Sequence, residues 1–250
     1  MNIENKVAIV TGGSRDIGRA VSETLAANGA KVAFTWLNSA EDGEATLAAI
    51  QANGGTAISV RGDMTDSADV ENLIDRTRNE FGDSIDILVN VAGGLVARKT
   101  LEEMSESFFE GVMKLNLTSA FLTAKHAVPY MGAGGSIVNF SSQAGRDGGG
   151  PGAVAYASSK GAVMTFTRGL AKELGPAGIR VNCVCPGMID TTFHDTFTKD
   201  QVRANVAAAT PLRREGRAQE VADLVAYLAS SESSFMTGAS LDINGGLYFS

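Results

Sequence analysis

The sequence predicts a three-layer, doubly wound α/β fold built on a seven-stranded parallel sheet. Short β-rich apolar runs alternate with helix-length amphipathic stretches along the chain, an order that calls for parallel pairing with right-handed crossovers. The strand runs, VAIV and DILV among them, are apolar without a break, as strands covered on both faces must be. A glycine-rich turn follows the first of them at once.

Strands are expected at Lys6–Val10, Lys31–Trp36, Thr56–Val60, Asp86–Val89, Ser136–Phe140, Arg180–Val184 and Ser240–Ile243. Helices are expected at Gly18–Asn28, Ala40–Asn53, Ala68–Phe81, Met104–Met131, Ala155–Leu174 and Gln219–Ser230. Asn28-Gly29 and Gly175-Pro176 are stop signals, while Thr65-Asp66 and Ser105 offer caps to the helices that follow. No proline precedes Pro129 and no low-complexity linker interrupts the chain, so residues 1–250 read as one domain, with a substrate loop at about 188–215.

Composition narrows the function classes. The net charge of −7 repels phosphate backbones and no Lys/Arg-rich run offsets it, so nucleic acid is not an expected partner. No apolar run is long enough to span a membrane and the N-terminus lacks a signal pattern, so a cytoplasmic protein without a membrane partner is expected. Cys183 and Cys185, the only cysteines, read as buried reduced thiols, and neither they nor His126 and His194 have further ligands at metal spacing; no metal is expected.

The turn after the first strand reads Thr11-Gly12-Gly13-Ser14-Arg15-Asp16-Ile17-Gly18. Glycines there let the backbone approach a pyrophosphate, and the free N–H groups of the following helix attract its charge. The segment resembles the TGxxxGxG signature of the short-chain dehydrogenase/reductase family, with Asp16 in place of the middle glycine. An Asp there can cap free N–H groups of the helix, yet its charge is unfavourable beside a diphosphate. The resemblance runs from Thr11 to Gly246 and implies a Rossmann fold with NAD(P)(H) as cofactor.

On this resemblance Gly12, Ser14, Arg15, Asp16, Ile17 and Gly18 face the phosphates, and Asp63 with Met64 meets the adenine. Asn90, Ala92 and Gly93 resemble the NNAG turn, Val91 replacing its second Asn; Pro186, Gly187, Ile189 and Thr191 resemble the PG motif that contacts the nicotinamide amide. The second strand ends in Trp36-Leu37-Asn38 without the carboxylate that binds ribose hydroxyls in NAD-selective folds. Trp36 and Asn38 thus line a position where Arg15 can pair with a 2′-phosphate; NADP(H) is favoured, with NAD(H) left open.

Tyr156 and Lys160 stand four apart in AYASSKGAV and so share one helix face. With Asn116 in MKLNLTS and Ser142 after the fifth strand they match the family's Asn-Ser-Tyr-Lys tetrad. Ser142 is chosen over Ser141 because the SQAG segment aligns from it, which leaves Ser141 a structural role. The ammonium and the cofactor's ring favour the Tyr156 phenolate. Hydride would pass between nicotinamide and a carbonyl carbon while Tyr156 protonates the oxygen, Ser142 holds it and Asn116 binds a water that relays protons to Lys160.

Pocket walls are expected from 94–99, 143–152 and 188–214, which contain Arg98, Lys99, Gln143, Arg146, His194, Arg213 and Arg214. Gln143, Arg146 and His194 are the candidate substrate contacts, and this cationic lining suits a small polar carbonyl or alcohol, such as a sugar-derived oxo acid or keto sugar. A catalytically silent NAD(P)-binding sensor or scaffold is the alternative, which Asp16 and Val91 feed. The resemblance also implies a homotetramer formed through the two long helices and the last strand.

Overall fold

The computed structural model describes residues 2–249. Its main sheet has seven parallel strands: β1 (Val7–Thr11), β2 (Lys31–Trp36), β3 (Thr56–Arg61), β4 (Ile87–Asn90), β5 (Ser136–Phe140), β6 (Arg180–Pro186) and the last, β9 (Ser240–Ile243). Their order is β3-β2-β1-β4-β5-β6-β9, so the winding reverses between β1 and β4. At such a switch point the crossovers diverge to opposite faces and leave a crevice beyond the carboxyl ends of the strands.

The alternation of strand side chains decides the two cores. Ala8, Val10, Val32, Phe34, Ile87, Val89, Val138 and Val184 pack on one face against helices α1 (Asp16–Ala27), α2 (Ala40–Ala52) and α10 (Ala218–Ala229). Ile9, Ala33, Leu88, Ile137 and Val181 pack on the other against α3 (Ser67–Phe81), α5 (Ser119–Ala127) and α7 (Val154–Leu174). Period-two alternation within strands that are apolar throughout is the signature of a sheet buried on both sides. Asp66 caps α3 by accepting from the Ala68 and Asp69 N–H groups, and Ser105 caps α4 (Glu106–Met113) through Phe108 N–H.

One expectation needs correction. The helix expected over Met104–Met131 is not continuous: α4 passes into a π-helical segment, Lys114–Thr118, then into α5, and ends in a 3-10 turn, Val128–Tyr130. A π turn shifts the phase of the apolar pattern at a single point, which a periodicity read over the whole stretch averages out. The substrate loop, in turn, is structured. It begins in strand β7 (Ile189–Asp190), forms helices α8 (Thr192–Phe197) and α9 (Asp200–Ala209), and returns through β8 (Gly216–Arg217). β7 and β8 pair in parallel as a separate two-stranded sheet that closes the base of this excursion. A further short helix, α6 (Ala144–Asp147), follows Ser142.

Candidate active site

The glycine turn at the end of β1 is forced by packing. A Cβ on Gly18 would lie 2.0 Å from the Gly12 carbonyl oxygen, and one on Gly12, whose φ is +63°, would press on the backbone of Ala92 at 3.2 Å. A Cβ on Gly93 would meet Asn116 Oδ1 at 2.6 Å and Lys160 Nζ at 3.1 Å. The crevice at the β1/β4 switch point is therefore floored by bare backbone, the cradle a dinucleotide requires. Ser14 is buried with its carbonyl accepting from Thr46 Oγ1 (2.8 Å), and Ile17 packs into the core. Trp36 lies against Gly43, while Asn38 is exposed. The Arg15 side chain is 71 % exposed, 4.0 Å from Asp16.

Asp16 does not cap α1. Its backbone is left-handed at φ +51°, and its carboxylate accepts from the Thr192 N–H (3.0 Å) and hydroxyl (2.5 Å) at the start of α8. Asn90 is engaged on the sheet side of its turn. Its amide donates to Asn139 Oδ1 (2.9 Å) and its carbonyl oxygen accepts from Thr123 Oγ1 (2.6 Å), while Asn139 donates onward to Thr167 (3.0 Å). All four are buried, so the Asn90 side chain ties β4 and β5 to α5 and α7. The turn survives Val91, because Ala92 N–H donates to Thr11 Oγ1 at 3.2 Å. Met64 is buried beneath the crevice rim, and one Asp63 oxygen accepts from Thr65 N–H. Gly187 N–H donates to Ile243 beyond Pro186, Ile189 is buried in β7, and the Thr191 hydroxyl donates to the Ile189 carbonyl (3.0 Å).

Lys160, Tyr156 and Ser142 converge. α7 places Tyr156 one turn before Lys160, whose Nζ donates to the Phe140 carbonyl at 2.8 Å and lies 5.7 Å from the phenol ring centre. The Ser142 hydroxyl lies within hydrogen-bonding reach of the phenol and also accepts from Ala144 N–H. Ser141, fully buried, donates instead to the Lys160 carbonyl (2.7 Å) and so fixes α7 to β5. Asn116 lies in the π segment. Its Oδ1 accepts from Gly94 N–H and its Nδ2 donates to the Gly94 and Val112 carbonyls, so both amide donors are engaged while Oδ1 keeps one acceptor site.

Burial pushes the Lys160 ammonium down to about 8, since the charged form loses its water. Burial likewise raises the Tyr156 phenol, with the Ser142 hydrogen bond pulling the other way. Burial thus favours the protonated phenol, the form that donates a proton.

The expected cationic lining is committed elsewhere, to carboxylates at Arg146 and Arg214 and to backbone carbonyls at Arg98 and Arg213. Arg146 turns to β9, where it pairs with Asp242 (3.0 Å) and the Ser240 carbonyl, which removes it from the substrate contacts. Arg98 donates to the Phe197 and Pro151 carbonyls, Arg213 to the Ala208 carbonyl, and Arg214 to both oxygens of Glu220. Lys99 rests over the Phe108 ring. His194 bonds Thr198 through Nδ1, and burial lowers its pKa, so it is neutral. Gln143 donates to Asp147, while its Oε1 is buried without a partner beside Gly187.

In place of these charges α8 brings rings, of which Phe193 and Phe197 were not singled out by sequence reasoning. Phe193 lies 6.0 Å from Tyr156, with Phe197 and His194 each 5.1 Å from Phe193. The only signal for them was the clustering of aromatics in TFHDTF. Arg61 was also missed; it stands opposite Trp36 in the β2/β3 register and reaches the Leu37 carbonyl (3.4 Å). Among the described residues no group of three His, Cys, Asp or Glu could hold a metal ion, and no helix is long and apolar enough to cross a membrane.

Proton-transfer groups at the carboxyl ends of parallel strands, beside a phosphate-ready turn, are how dinucleotide-dependent oxidoreductases are organised. Comparison with known proteins agrees. A family model described as enoyl-(acyl carrier protein) reductase matches residues 12–248. The 3-oxoacyl-(acyl-carrier-protein) reductase FabG of Escherichia coli K12 is 39 % identical over 250 residues, covering 99 % of each chain. A short chain dehydrogenase from Burkholderia cenocepacia J2315 in complex with NADP superposes with a TM-score of 0.92 at 37 % identity, over 99 % of each chain. A blue fluorescent protein from a metagenomic library in complex with NADPH gives 0.93 at 35 % identity over 100 % of both chains. The chain belongs to the short-chain dehydrogenase/reductase family, the single-domain type, and is an NAD(P)-dependent oxidoreductase acting on C=O and CH–OH groups.

Proposed function

We propose that the protein uses NADPH to reduce the ketone of a 3-oxoacyl thioester. The observation that carries the substrate class is the Phe193 ring 6.0 Å from Tyr156. An acyl chain gains by burying apolar surface there, whereas a sugar-derived oxo acid would need cations, of which Arg146 and Arg214 are already paired with carboxylates. The name of the Escherichia coli relative supports the same class. When bound, NADPH supplies the reducing equivalent to the carbonyl carbon. Gly12, Gly18, Ala92 and Gly93 would hold its phosphates and ring against bare backbone, with Arg15 and Arg61 flanking the end of β2 where a 2′-phosphate belongs.

This chain's residues then handle the oxygen. Ser142 and Tyr156 converge on one point, so Ser142 orients the carbonyl and the Tyr156 phenol delivers its proton as negative charge develops. Lys160 replenishes that proton through water at the π segment around Asn116. A convergent phenol, hydroxyl and amine argue against the silent sensor. The reading includes a cytoplasmic homotetramer, with exposed Phe109 on α4 and Phe121 on α5 as contact surface; light scattering at a single-chain mass would overturn that part.

The test is a panel followed by NADPH absorbance: an acetoacetyl thioester, a crotonyl thioester and a keto sugar acid, each repeated with NADH. The expected result is a kcat/KM for acetoacetyl thioester about a hundredfold above the other two, and for NADPH about tenfold above NADH. Faster turnover of the sugar acid overturns the substrate class, and NADPH binding without any reduction favours the sensor.

A further inference from the structure

We propose that Asp16 is a positioning residue that latches the substrate lid, α8 and α9, to the cofactor loop, so that the closed lid exists before either ligand binds. Three observations on this chain meet there. Asp16 is one of four described non-glycine residues with positive φ, a conformation that L side chains rarely adopt. Its carboxylate makes two hydrogen bonds to Thr192, one to the backbone N–H and one to the hydroxyl, across 176 positions of sequence. The next residue, Phe193, is the one that covers Tyr156.

Little else roots the start of the lid. No residue of α8 or α9 is fully buried, and the helices are held to their surroundings by polar contacts at the rim: Arg203 to Asp190, Asp195 and Glu215, and Arg98 to the Phe197 carbonyl. The Arg203 guanidinium and the Glu215 carboxylate are largely covered and bonded at two points, so they hold α9, whereas Asp190 and Asp195 are exposed and contribute little. The Asp16 contact differs because its anchor is the glycine turn, which Gly18 and Gly12 lock onto the sheet. The latch fixes where Phe193 stands relative to the phenol. Ordering that would otherwise fall on substrate binding is then complete beforehand, which tightens binding without any new contact to the substrate.

The KM arm of the test rests on the ketone-reductase reading; the proteolysis arm does not. The probe variant is Asp16→Gly, because glycine accepts φ +51° without strain and the fold is retained. Thr192→Val removes the hydroxyl bond alone, and Asp16→Asn keeps one acceptor. Limited trypsin digestion of the unliganded protein at Lys199 and Arg203 reads the lid directly. Asp16→Gly is expected to speed that cleavage roughly tenfold and Asp16→Asn only about twofold, graded with the bonds removed. In steady-state reduction of acetoacetyl thioester, Asp16→Gly raises the ketone KM roughly fivefold, and Thr192→Val raises it about twofold with kcat changed less than about twofold. Adding Thr192→Val to Asp16→Gly has no further effect, because the two act through one contact. Unchanged trypsin cleavage in Asp16→Gly overturns the latch whatever the activity. Additive effects of Asp16→Gly and Thr192→Val overturn it as well.

Discussion

The floor and the lid of the active site are built on opposite principles. On the floor, Lys160, Asn116, Ser141 and Asn139 are buried, and their polar atoms bond to backbone or to one another within the rigid sheet and its helices. On the lid, no residue of α8 or α9 is fully buried, and the holding contacts are ring contacts, hydrogen bonds and ion pairs, with Arg203–Glu215 the most covered of these pairs. A buried polar group left without its partner costs the whole of its desolvation, whereas a loosened surface pair costs almost nothing. The proton-transfer groups are thus fixed by expensive contacts and access to them is governed by cheap ones, so the two regions should respond differently to substitution.

The largest expected effect is at the point of chemistry. Tyr156→Phe keeps the ring against Phe193 but removes the proton donor, and kcat/KM for ketone reduction should fall by about three orders of magnitude while NADPH binding, read by fluorescence, stays within twofold. Binding lost together with turnover would mean that the phenol is structural.

Next comes the buried amide network below the site. Asn139→Ala strands Asn90 and Thr167, and a loss of about 3 kcal/mol in denaturant unfolding is expected. A loss below about 1 kcal/mol would show that the floor is less tightly specified than its geometry indicates.

A smaller effect lies in pH. Folded Lys160 titrates at about 8 against 10.5 for the free side chain, so between those values the unfolded chain binds more protons. The burial cost is present in full below about pH 8 and is relieved as pH rises toward 10.5, a stabilising slope with increasing pH. For catalysis the sign is opposite: loss of the ammonium should bring kcat/KM for reduction down above about pH 8, with a flat profile below it because the raised Tyr156 stays protonated. Lys160→Arg should abolish that limb, and a limb that persists in Lys160→Arg belongs to another group.

The smallest effect is expected on the lid. Arg203→Ala frees Asp190, Asp195 and Glu215, and should raise the ketone KM two- to threefold with the melting temperature shifted by less than about 2 °C. A melting shift as large as that of Asn139→Ala would erase the contrast between the two regions.

What the sequence made legible follows the same division. The seven strands and the sheet could be read because burial on both faces writes continuous apolar runs, and the positions of Tyr156, Lys160, Ser142 and the glycine turn could be read because local spacing sets them. The lid was opaque. Its short helices have no buried face to create periodicity, and nothing in the chain order shows that Arg203 meets Asp190 or that Asp16 meets Thr192 across the molecule. Charge was misread for the same reason: Arg98, Arg146, Arg213 and Arg214 lie in segments near the site, yet a carboxylate or carbonyl elsewhere in the fold takes each of them. Asn90 carries a related lesson, since a side chain in a motif can belong to the core.

The π-helical turn at Lys114–Thr118 has a consequence for the chain's tolerance of length change. Each residue advances an α-helix by about 100°, so deleting one residue here would restore regular α-helix and swing everything upstream by that angle relative to α5. Glu106–Met113 would then present a different flank to α7, and Asn116 would lose its hold on Gly94. The irregular turn acts as a phase setter between two helices, which makes residue count, rather than residue type alone, a fixed quantity in this stretch.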